Sequence, residues 1–266
     1  KIASGIEEVD VWRQYFQTSF QKLPKNILDI CEYGFTEMFN NAKDHSEGTD
    51  IIVEKSWSEH HIRMNLLDNG VGVFQKLQRA FNFQDMREGI LNLSKGKFTT
   101  DSKNHTGEGI FFTSRAFDMF KLSANGLCYL RDNLENDWSI SEDTVKRGTS
   151  VYMEIARNSG RDLVKIFKNF QGGEENLSFA QTEVLVKLSQ FGEVRFVSRS
   201  QAKRIVFGLE KFERVKLDFK GVEMVGQGFV DEVFRVFHNK HPTIKIDYVN
   251  AVGNVEFMIK RGIDMR

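Results

Sequence analysis

The amino-acid sequence predicts an α/β protein with two domains, on three observations. The chain has 266 residues, which is more than one small domain needs. Long amphipathic helices and a predicted hairpin occupy the first half, whereas strands and helices alternate from about residue 177 onward. Between these regions, the polar segment Gly172-Gly173-Glu-Glu-Asn176 is the best candidate for a linker.

The composition fits a soluble globular protein rather than a disordered one, with 40% hydrophobic and 28% charged residues. Lys and Arg together number 37, as do Asp and Glu, so the net charge is zero. This balance gives no global electrostatic reason to expect nucleic acid or an anionic membrane as the main partner. The sequence shows neither an export leader nor an apolar run of the roughly 18 residues that span a bilayer. We therefore expect a cytoplasmic location.

The two cysteines, Cys31 and Cys128, are far apart in the sequence and lie in apolar surroundings. This placement disfavours both a disulfide framework and a cysteine-based zinc site, and agrees with a reducing cytosol. The sequence starts at Lys1 rather than Met, so we expect that an N-terminal part of the protein precedes it.

Apolar spacing predicts the elements in order. Before the linker we expect helices at 6–22, 26–45, 73–81, 86–93 and 110–120, and strands at 50–55, 61–67, 119–124, 127–131, 136–140 and 149–155. Residues 95–109 are polar, contain three glycines and predict a mobile loop. After the linker we expect strands at 184–188, 215–219 and 243–249, and helices at 198–207, 227–237 and 250–260.

Three polar residues of the second helix, Glu37, Asn41 and His45, are spaced four apart and therefore lie on one stripe. A solvated helix face would explain this stripe without any function. The same residue types could also carry chemistry, because an Asn oxygen suits Mg²⁺ and a Glu one turn earlier could orient or deprotonate a water.

Three glycine-containing segments complete the pattern. Asp68-Asn-Gly70-Val-Gly72 follows a strand directly, Thr106-Gly107-Glu-Gly109 opens a helix, and Gly148-Thr149 enters a strand. Glycine lets the backbone approach a ligand closely, and a helix N-terminus attracts anions. Each segment taken alone is also explained by an ordinary hairpin turn, a helix cap or a turn before a strand.

The order of these motifs resembles the GHKL superfamily of ATP-binding domains, which includes gyrase-type topoisomerases, MutL-type repair ATPases, histidine kinases and anti-sigma serine kinases. The segment from Glu37 to His45 is similar to the E-x-x-x-N-A-x-x-H helix of the anti-sigma kinases. The resemblance covers roughly residues 25–156. It implies a two-layer α/β sandwich, in which helices cover one face of a mixed sheet, over residues 25–172.

The resemblance also implies the site. Glu37 matches the proposed general base, and Asn41 matches the residue that holds Mg²⁺ against the phosphates. Asp68 matches the acceptor of the adenine amino group, supported by Thr149. The resemblance implies six further nucleotide-binding residues, which are His45, Gly70, Gly72, Thr106, Gly107 and Gly109. ATP and Mg²⁺ are the implied cofactors, and the loop 95–106, with Lys95, Lys97 and Lys103, becomes the ATP lid.

Two features depart from particular members of that superfamily. Residues 1–24 predict one helix and supply no phosphoacceptor histidine in a dimerising hairpin, which disfavours an ordinary sensor histidine kinase. A downstream domain with a catalytic lysine, as in gyrase or MutL, is not evident.

Residues 177–266 resemble the bacterial STAS-like domains that follow such ATPase domains. Phosphorylated STAS domains carry Ser or Thr at a strand–helix turn, where this sequence has Val225-Gly-Gln-Gly228. The missing hydroxyl disfavours phosphorylation at this turn and favours a docking role.

The sequence therefore predicts a Mg-dependent regulatory ATPase whose nucleotide-ordered lid and STAS-like domain signal to a protein partner. Three alternatives remain open. They are an anti-sigma-type protein serine/threonine kinase, a non-hydrolysing nucleotide-gated transcription regulator whose DNA-binding domain precedes Lys1, and a purely structural interaction module. Nucleic acid would be contacted only through that missing region, and homodimerisation also stays open.

Overall fold

The computed structural model of the chain describes residues 6–103, 105–173, 175–190 and 196–264. These residues form two compact units. The first consists of Lys1–Ile90 and Thr99–Ile166, and the second of Leu91–Phe98 and Phe167–Arg266. The chain therefore passes into the second unit at Leu91, returns to the first at Thr99 and leaves it again at Phe167.

The first unit contains six strands in one sheet. They are β1 (Ile51–Trp57), β2 (His61–Asp68), β3 (Met119–Ala124), β4 (Leu127–Asp132), β5 (Asp137–Glu142) and β6 (Thr149–Ala156), in the spatial order β1-β2-β6-β3-β4-β5. The prediction of an α/β fold is confirmed, but the predicted mixed sheet is not, because every neighbouring pair is antiparallel. β2 and β3 run in the same direction, and β6 lies between them.

The helices of this region are α1 (8–20), α2 (Lys25–His45), α3 (Val73–Phe81), α4 (Met86–Lys95), α5 (Gly109–Ala116) and α6 (Leu163–Lys168). α2 and α5 pack against each other and against β2, β3 and β6. Side chains of β2 and β6 alternate between buried and half-buried along each strand. One face of these strands is therefore apolar, and the other carries polar pairs such as Arg63 with Glu154.

α5 and α2 approach closely because α2 has a glycine at their contact. A Cβ on Gly34 would lie 2.4 Å from the Phe117 ring, which follows α5. The helix predicted at 110–120 ends at Ala116, and Met119 already starts β3. Because the helix ends early, the chain turns from the C-terminus of α5 into the sheet within two residues.

The N-terminal helix α1 belongs to the first unit. It combines α-helical turns with a π-helical stretch at Arg13–Gln17. Trp12 and Phe16 stack with ring centroids 5.0 Å apart, and Phe16 lies 4.9 Å from the ring of Phe35 in α2. This aromatic packing holds α1 against α2.

The second unit is an α/β layer whose central sheet has three parallel strands in the order β11-β9-β7. Its strands are β7 (Gln181–Leu185), β8 (Phe196–Val197), β9 (Arg214–Asp218), β10 (Met224–Val225) and β11 (Lys245–Val249). Its helices are α7 (Arg199–Val206), α8 (227–240, with a π-helical centre at Asp231–Phe237) and α9 (Asn254–Asp264). β8 and β10 form a separate parallel pair.

The predicted helix at 198–207 is confirmed, and its start has a clear local cause. The hydroxyl of Ser198 and the amide of Gln201 form a capping box at the N-terminus of α7. Around the predicted linker, Gln171 and Phe179 form an antiparallel bridge and Asn176 Nδ2 donates to Glu213 Oε1, and its described residues Gly172, Gly173, Glu175 and Asn176 belong to the second unit. None of the helices in the described residues is long and apolar enough to cross a membrane.

Candidate functional site

The predicted stripe of α2 lies at the edge of the core. The opposite face carries buried aromatic side chains, Phe35 and Phe39, whereas Glu37, Asn41 and His45 are half-buried. The Nδ2 atom of Asn41 is itself buried and has no hydrogen-bond partner among the described residues. A buried amide without a partner costs free energy, so this atom is a candidate for contact with a ligand or water.

The carboxylate of Glu37 faces the first residue of α5. A Cβ on Gly109 would lie 2.1 Å from Oε2 of Glu37, so a side chain here would displace the Glu37 carboxylate. Burial raises the pKa of Glu37, the neighbouring Glu108 raises it further, and His105 opposes the shift. A carboxyl group with a raised pKa is a stronger base than an exposed one, which suits proton transfer.

The loop before α5 brings a second histidine to the stripe. The rings of His45 and His105 meet edge to face, with centroids 4.3 Å apart, and His105 Nε2 lies 3.9 Å from Oδ2 of Asp44. Burial lowers the pKa of His45, and His105 and Lys76 lower it further, against the opposing effect of Asp44 and Asp101. This environment favours the neutral form of the His45 imidazole.

The residues predicted to lie beneath the phosphates are in this loop and at the start of α5. Thr106 is exposed, and Gly107 has a φ of 72°, which favours glycine. The carbonyl of Glu108 accepts a hydrogen bond from Phe112 N at 3.0 Å, which starts the helix. The structure therefore places Gly107 and Gly109 on either side of the N-terminus of α5, beside Glu37.

A second group of predicted residues surrounds Asp68 at the end of β2. Its Oδ1 accepts hydrogen bonds from Gly70 N at 2.9 Å and Thr149 N at 3.2 Å. Burial raises the pKa of Asp68, while these two N–H groups and the Thr149 hydroxyl act in the opposite direction. Thr149 Oγ1 also accepts a bond from Val73 N at 3.2 Å, so its hydrogen is left for a second acceptor.

The glycines near Asp68 allow close backbone approaches. A Cβ on Gly70 would lie 1.9 Å from Ser46 O, and a Cβ on Gly148 would lie 1.9 Å from Asp68 O. Gly72 has a φ of 84°, and its Cβ would lie 2.4 Å from the Asn125 amide. The turn 68–72 is therefore enclosed by backbone on two sides, which explains why it needs glycines.

The end of α2 connects these two groups within the first unit. Ser46 O accepts a hydrogen bond from Val71 N at 3.0 Å, and His45 O accepts one from Lys76 Nζ at 2.7 Å. The stripe of α2, the turn after β2 and the start of α3 thus meet at residues 45–46. This contact places the Glu37–Asn41–His45 stripe and the Asp68 turn on the same unit.

Sequence reasoning missed one residue that holds this turn. Asn125 donates from Nδ2 to Val71 O at 2.9 Å, and its Oδ1 accepts from Gln75 N at 3.0 Å. Its φ of 52° fits the Asn-Gly turn between β3 and β4. The dipeptide Asn125-Gly126 is typical of a hairpin turn, but a contact with residues 71–75 has no local signature.

A cleft of about 290 Å³ lies on the first unit beside this turn and is lined by Glu47, Asn69, Gly70, Val71, Gln75, Asn125, Lys146 and Arg147. Of the predicted site residues, it contains Gly70.

In the described part of the chain, no three His, Cys, Asp or Glu side chains are grouped closely enough to hold a metal.

Two of the lid lysines are located elsewhere. Lys95 and Lys97 lie in Leu91–Phe98, which belongs to the second unit, and both donate hydrogen bonds to backbone carbonyls there. Of the predicted loop at 95–109, Lys95 is instead the last residue of α4, and Lys95 and Phe98 are buried. Asp101, His105 and Gly107 are in the part of the loop that belongs to the first unit.

Within the second unit, α7, β9, β10, α8 and β11 form a strand–helix layer around a parallel sheet. Residues 201–256 are similar to a family described as a STAS-like domain of unknown function (DUF4325). The match covers about a fifth of the chain, and it lies within the predicted STAS-like region. No curated protein matches the chain. The STAS-like similarity suggests a regulatory role for the second unit.

Proposed function

We propose that the first unit binds Mg-ATP and hydrolyses it slowly, and that the STAS-like unit communicates the bound state to a protein partner. The observation that carries this proposal is the buried, unpartnered Nδ2 of Asn41, on the same helical stripe as Glu37. Rotation of the amide exchanges its oxygen and nitrogen, so the side chain can present either a cation ligand or a donor.

The phosphate end of the proposed site is the N-terminus of α5. Backbone N–H groups at a helix start attract anions, and the start of α5 presents backbone without side chains at Gly107 and Gly109. Glu37 and Glu108 would repel the same phosphates, because both carboxylates lie at this helix start. Mg²⁺ supplies the charge that offsets this repulsion, and Asn41 would hold it. Nucleotide binding should therefore depend strongly on Mg²⁺.

The adenine end is the Asp68 turn. Two backbone N–H groups hold Oδ1 of Asp68 in place, so the carboxylate is oriented before a ligand arrives. A fixed, half-buried carboxylate is a strong acceptor for an exocyclic amino group. The glycines Gly70 and Gly72 bring backbone, rather than side chains, to the space beside it.

Glu37 is the residue we assign to proton transfer. Its raised pKa and its position opposite the start of α5 would let it accept a proton from a water that attacks the terminal phosphate. The same base could accept a proton from a protein hydroxyl, which would make the chain a kinase. Transfer of a labelled γ-phosphate to water or to protein distinguishes these two outcomes.

Calorimetric titration with Mg-ATP tests the binding proposal. We expect saturable binding by the parent protein and a loss of roughly ten- to a hundredfold in Asp68→Asn, because a charge-assisted hydrogen bond contributes about 1.5–3 kcal/mol. Asp143→Asn is the matched control, since this carboxylate also accepts backbone N–H bonds in a turn of the first unit. Equal affinity in Asp68→Asn and the parent would refute the assignment of the adenine site.

A further inference from the structure

The chain enters the second unit directly before the loop that precedes α5. Residues Leu91–Phe98, which we call the coupling segment, are part of that unit, whereas Thr99 begins the loop in the first unit. One peptide bond therefore joins a residue packed in the STAS-like unit to the loop 99–108. That loop ends at the start of α5, where the proposed phosphate site lies.

Lys95 anchors the coupling segment. It is only 2% exposed, and its Nζ donates to Asn92 Oδ1 at 2.9 Å, Arg204 O at 2.8 Å and Phe207 O at 3.0 Å. An ammonium has three hydrogens, so all of them have acceptors. The two carbonyls belong to the C-terminal end of α7, where a positive charge is stabilised by the helix dipole.

Further contacts hold the same segment. Thr182 in β7 donates from Oγ1 to Lys95 O at 2.6 Å. Lys97 Nζ donates to Lys211 O at 2.9 Å, and Lys211 Nζ donates to Lys97 O at 3.0 Å. Lys97 Nζ also lies 5.1 Å from the centre of the Phe212 ring. The coupling segment is therefore bound at its backbone as well as at its side chains.

We propose that the coupling segment transmits the nucleotide state of the loop 99–108 to the STAS-like unit, an inference that rests on the proposed function. Because all three hydrogens of the Lys95 ammonium have acceptors in the second unit, Lys95 acts by fixing the start of the loop and not by contacting phosphate. A ligand that orders the loop favours the docked segment, and docking in turn favours the ordered loop. The elements that would respond are α7 and the chain after it, up to Phe207.

Releasing the anchor would have a predictable effect on affinity. Freeing Gly96–Phe98, the part of the coupling segment that follows α4, would extend the loop from about 10 to about 13 residues, and the loop-length dependence of closure entropy makes ordering about 1.5-fold less favourable. Ligands that do not engage the loop, such as adenosine, would be unaffected. A purely structural role for Lys95 would instead weaken both ligands equally or neither.

Hydrogen exchange of the full chain, with and without Mg-ATP, tests this inference. In the parent protein we expect the nucleotide to slow amide exchange in the loop 99–108, in the coupling segment and at residues 204–207. In Lys95→Met, we expect protection of the loop to remain and protection of residues 204–207 to disappear. Lys203→Met is the matched control, because Lys203 is an exposed lysine on the same helix α7.

Thr182→Val provides a milder second variant if Lys95→Met does not fold, since it removes only the hydrogen bond to Lys95 O. Calorimetry on the same samples separates the two proposals. If Mg-ATP binds saturably but amide exchange at 91–98 and 204–207 does not change, the coupling is overturned and the nucleotide site is left intact. An absence of Mg-ATP binding overturns the proposed function and the coupling with it.

Discussion

The carboxylate of Glu37 and the backbone of Gly109 lie so close that a Cβ on Gly109 would approach Oε2 of Glu37 to 2.1 Å. One residue comes from a long helix of the core, and the other begins a short helix 72 positions later in the numbering. The pair fixes the carboxylate at a helix start, where burial and Glu108 raise its pKa.

Substitution Gly109→Ala should displace Glu37 or α5 and reduce nucleotide turnover at least about tenfold, since a misplaced catalytic group costs that much or more. Alanine favours helix by about 1 kcal/mol over glycine, so the loss would not come from helix propensity. Gly160→Ala is the control, because a Cβ there meets nothing within 4 Å. Steady-state phosphate release measures the effect, and equal rates in both variants would contradict it.

Substitution Glu37→Gln should stabilise the protein at neutral pH and leave it unchanged in acid. The folded state raises the pKa of Glu37, so the folded protein holds this proton more tightly than the unfolded chain does. In the parent, protonated Glu37 therefore contributes to the stability of the fold below the ordinary pKa of Glu. That contribution is lost as the pH rises through the folded pKa. Urea unfolding from pH 4 to pH 8 measures this, and a difference that grows toward acid would contradict it.

Substitution Thr149→Val should weaken the Asp68 turn. It removes the acceptor of the Val73 N–H and the hydroxyl that opposes the raised pKa of Asp68, at a cost of about 1 kcal/mol for the lost hydrogen bond. Thr149→Ser keeps the hydroxyl and should recover most of the stability. Chemical denaturation compares the two, and the same loss in both variants would show that the methyl group, rather than the hydroxyl, matters.

Substitution His45→Gln should make the protein less sensitive to acid as the pH falls below about 6.5, the ordinary pKa of His. The folded state lowers the pKa of His45, so the contribution of this residue is present above the ordinary pKa of His and is lost as the pH falls through the folded pKa. Thermal unfolding across this range measures the slope. His60→Gln serves as the control, because this histidine lies in the turn between β1 and β2.

Much of the local structure could be predicted from the sequence. The helix Val73–Phe81 begins after Gly72 and has a strong apolar stripe, and it was predicted with the same bounds. The strands of the antiparallel sheet alternate in burial, so their period of two is visible in the sequence. The stripe of Glu37, Asn41 and His45 was also accessible, because helical spacing alone places them together.

Contacts between distant segments could not be predicted in the same way. Lysine usually stays in water, so Lys95-Gly-Lys97 suggested a loop, whereas the buried ammonium of Lys95 is satisfied by carbonyls more than 100 positions away. The insertion of β6 between β2 and β3 likewise left no local pattern, and it made an expected mixed sheet antiparallel. The roles of the site residues in nucleotide binding stay predictions.

The position of Leu91–Phe98 within the second unit affects how the chain can fold during synthesis. Leu91 and Phe98 are buried side chains, and the segment's partners lie at residues 179–212. On a ribosome these apolar groups would emerge well before the residues that the segment contacts, so they would remain exposed until roughly a hundred more residues had been made. Expression of residues 167–266 alone would omit this segment and leave the carbonyls of Arg204 and Phe207 without their lysine.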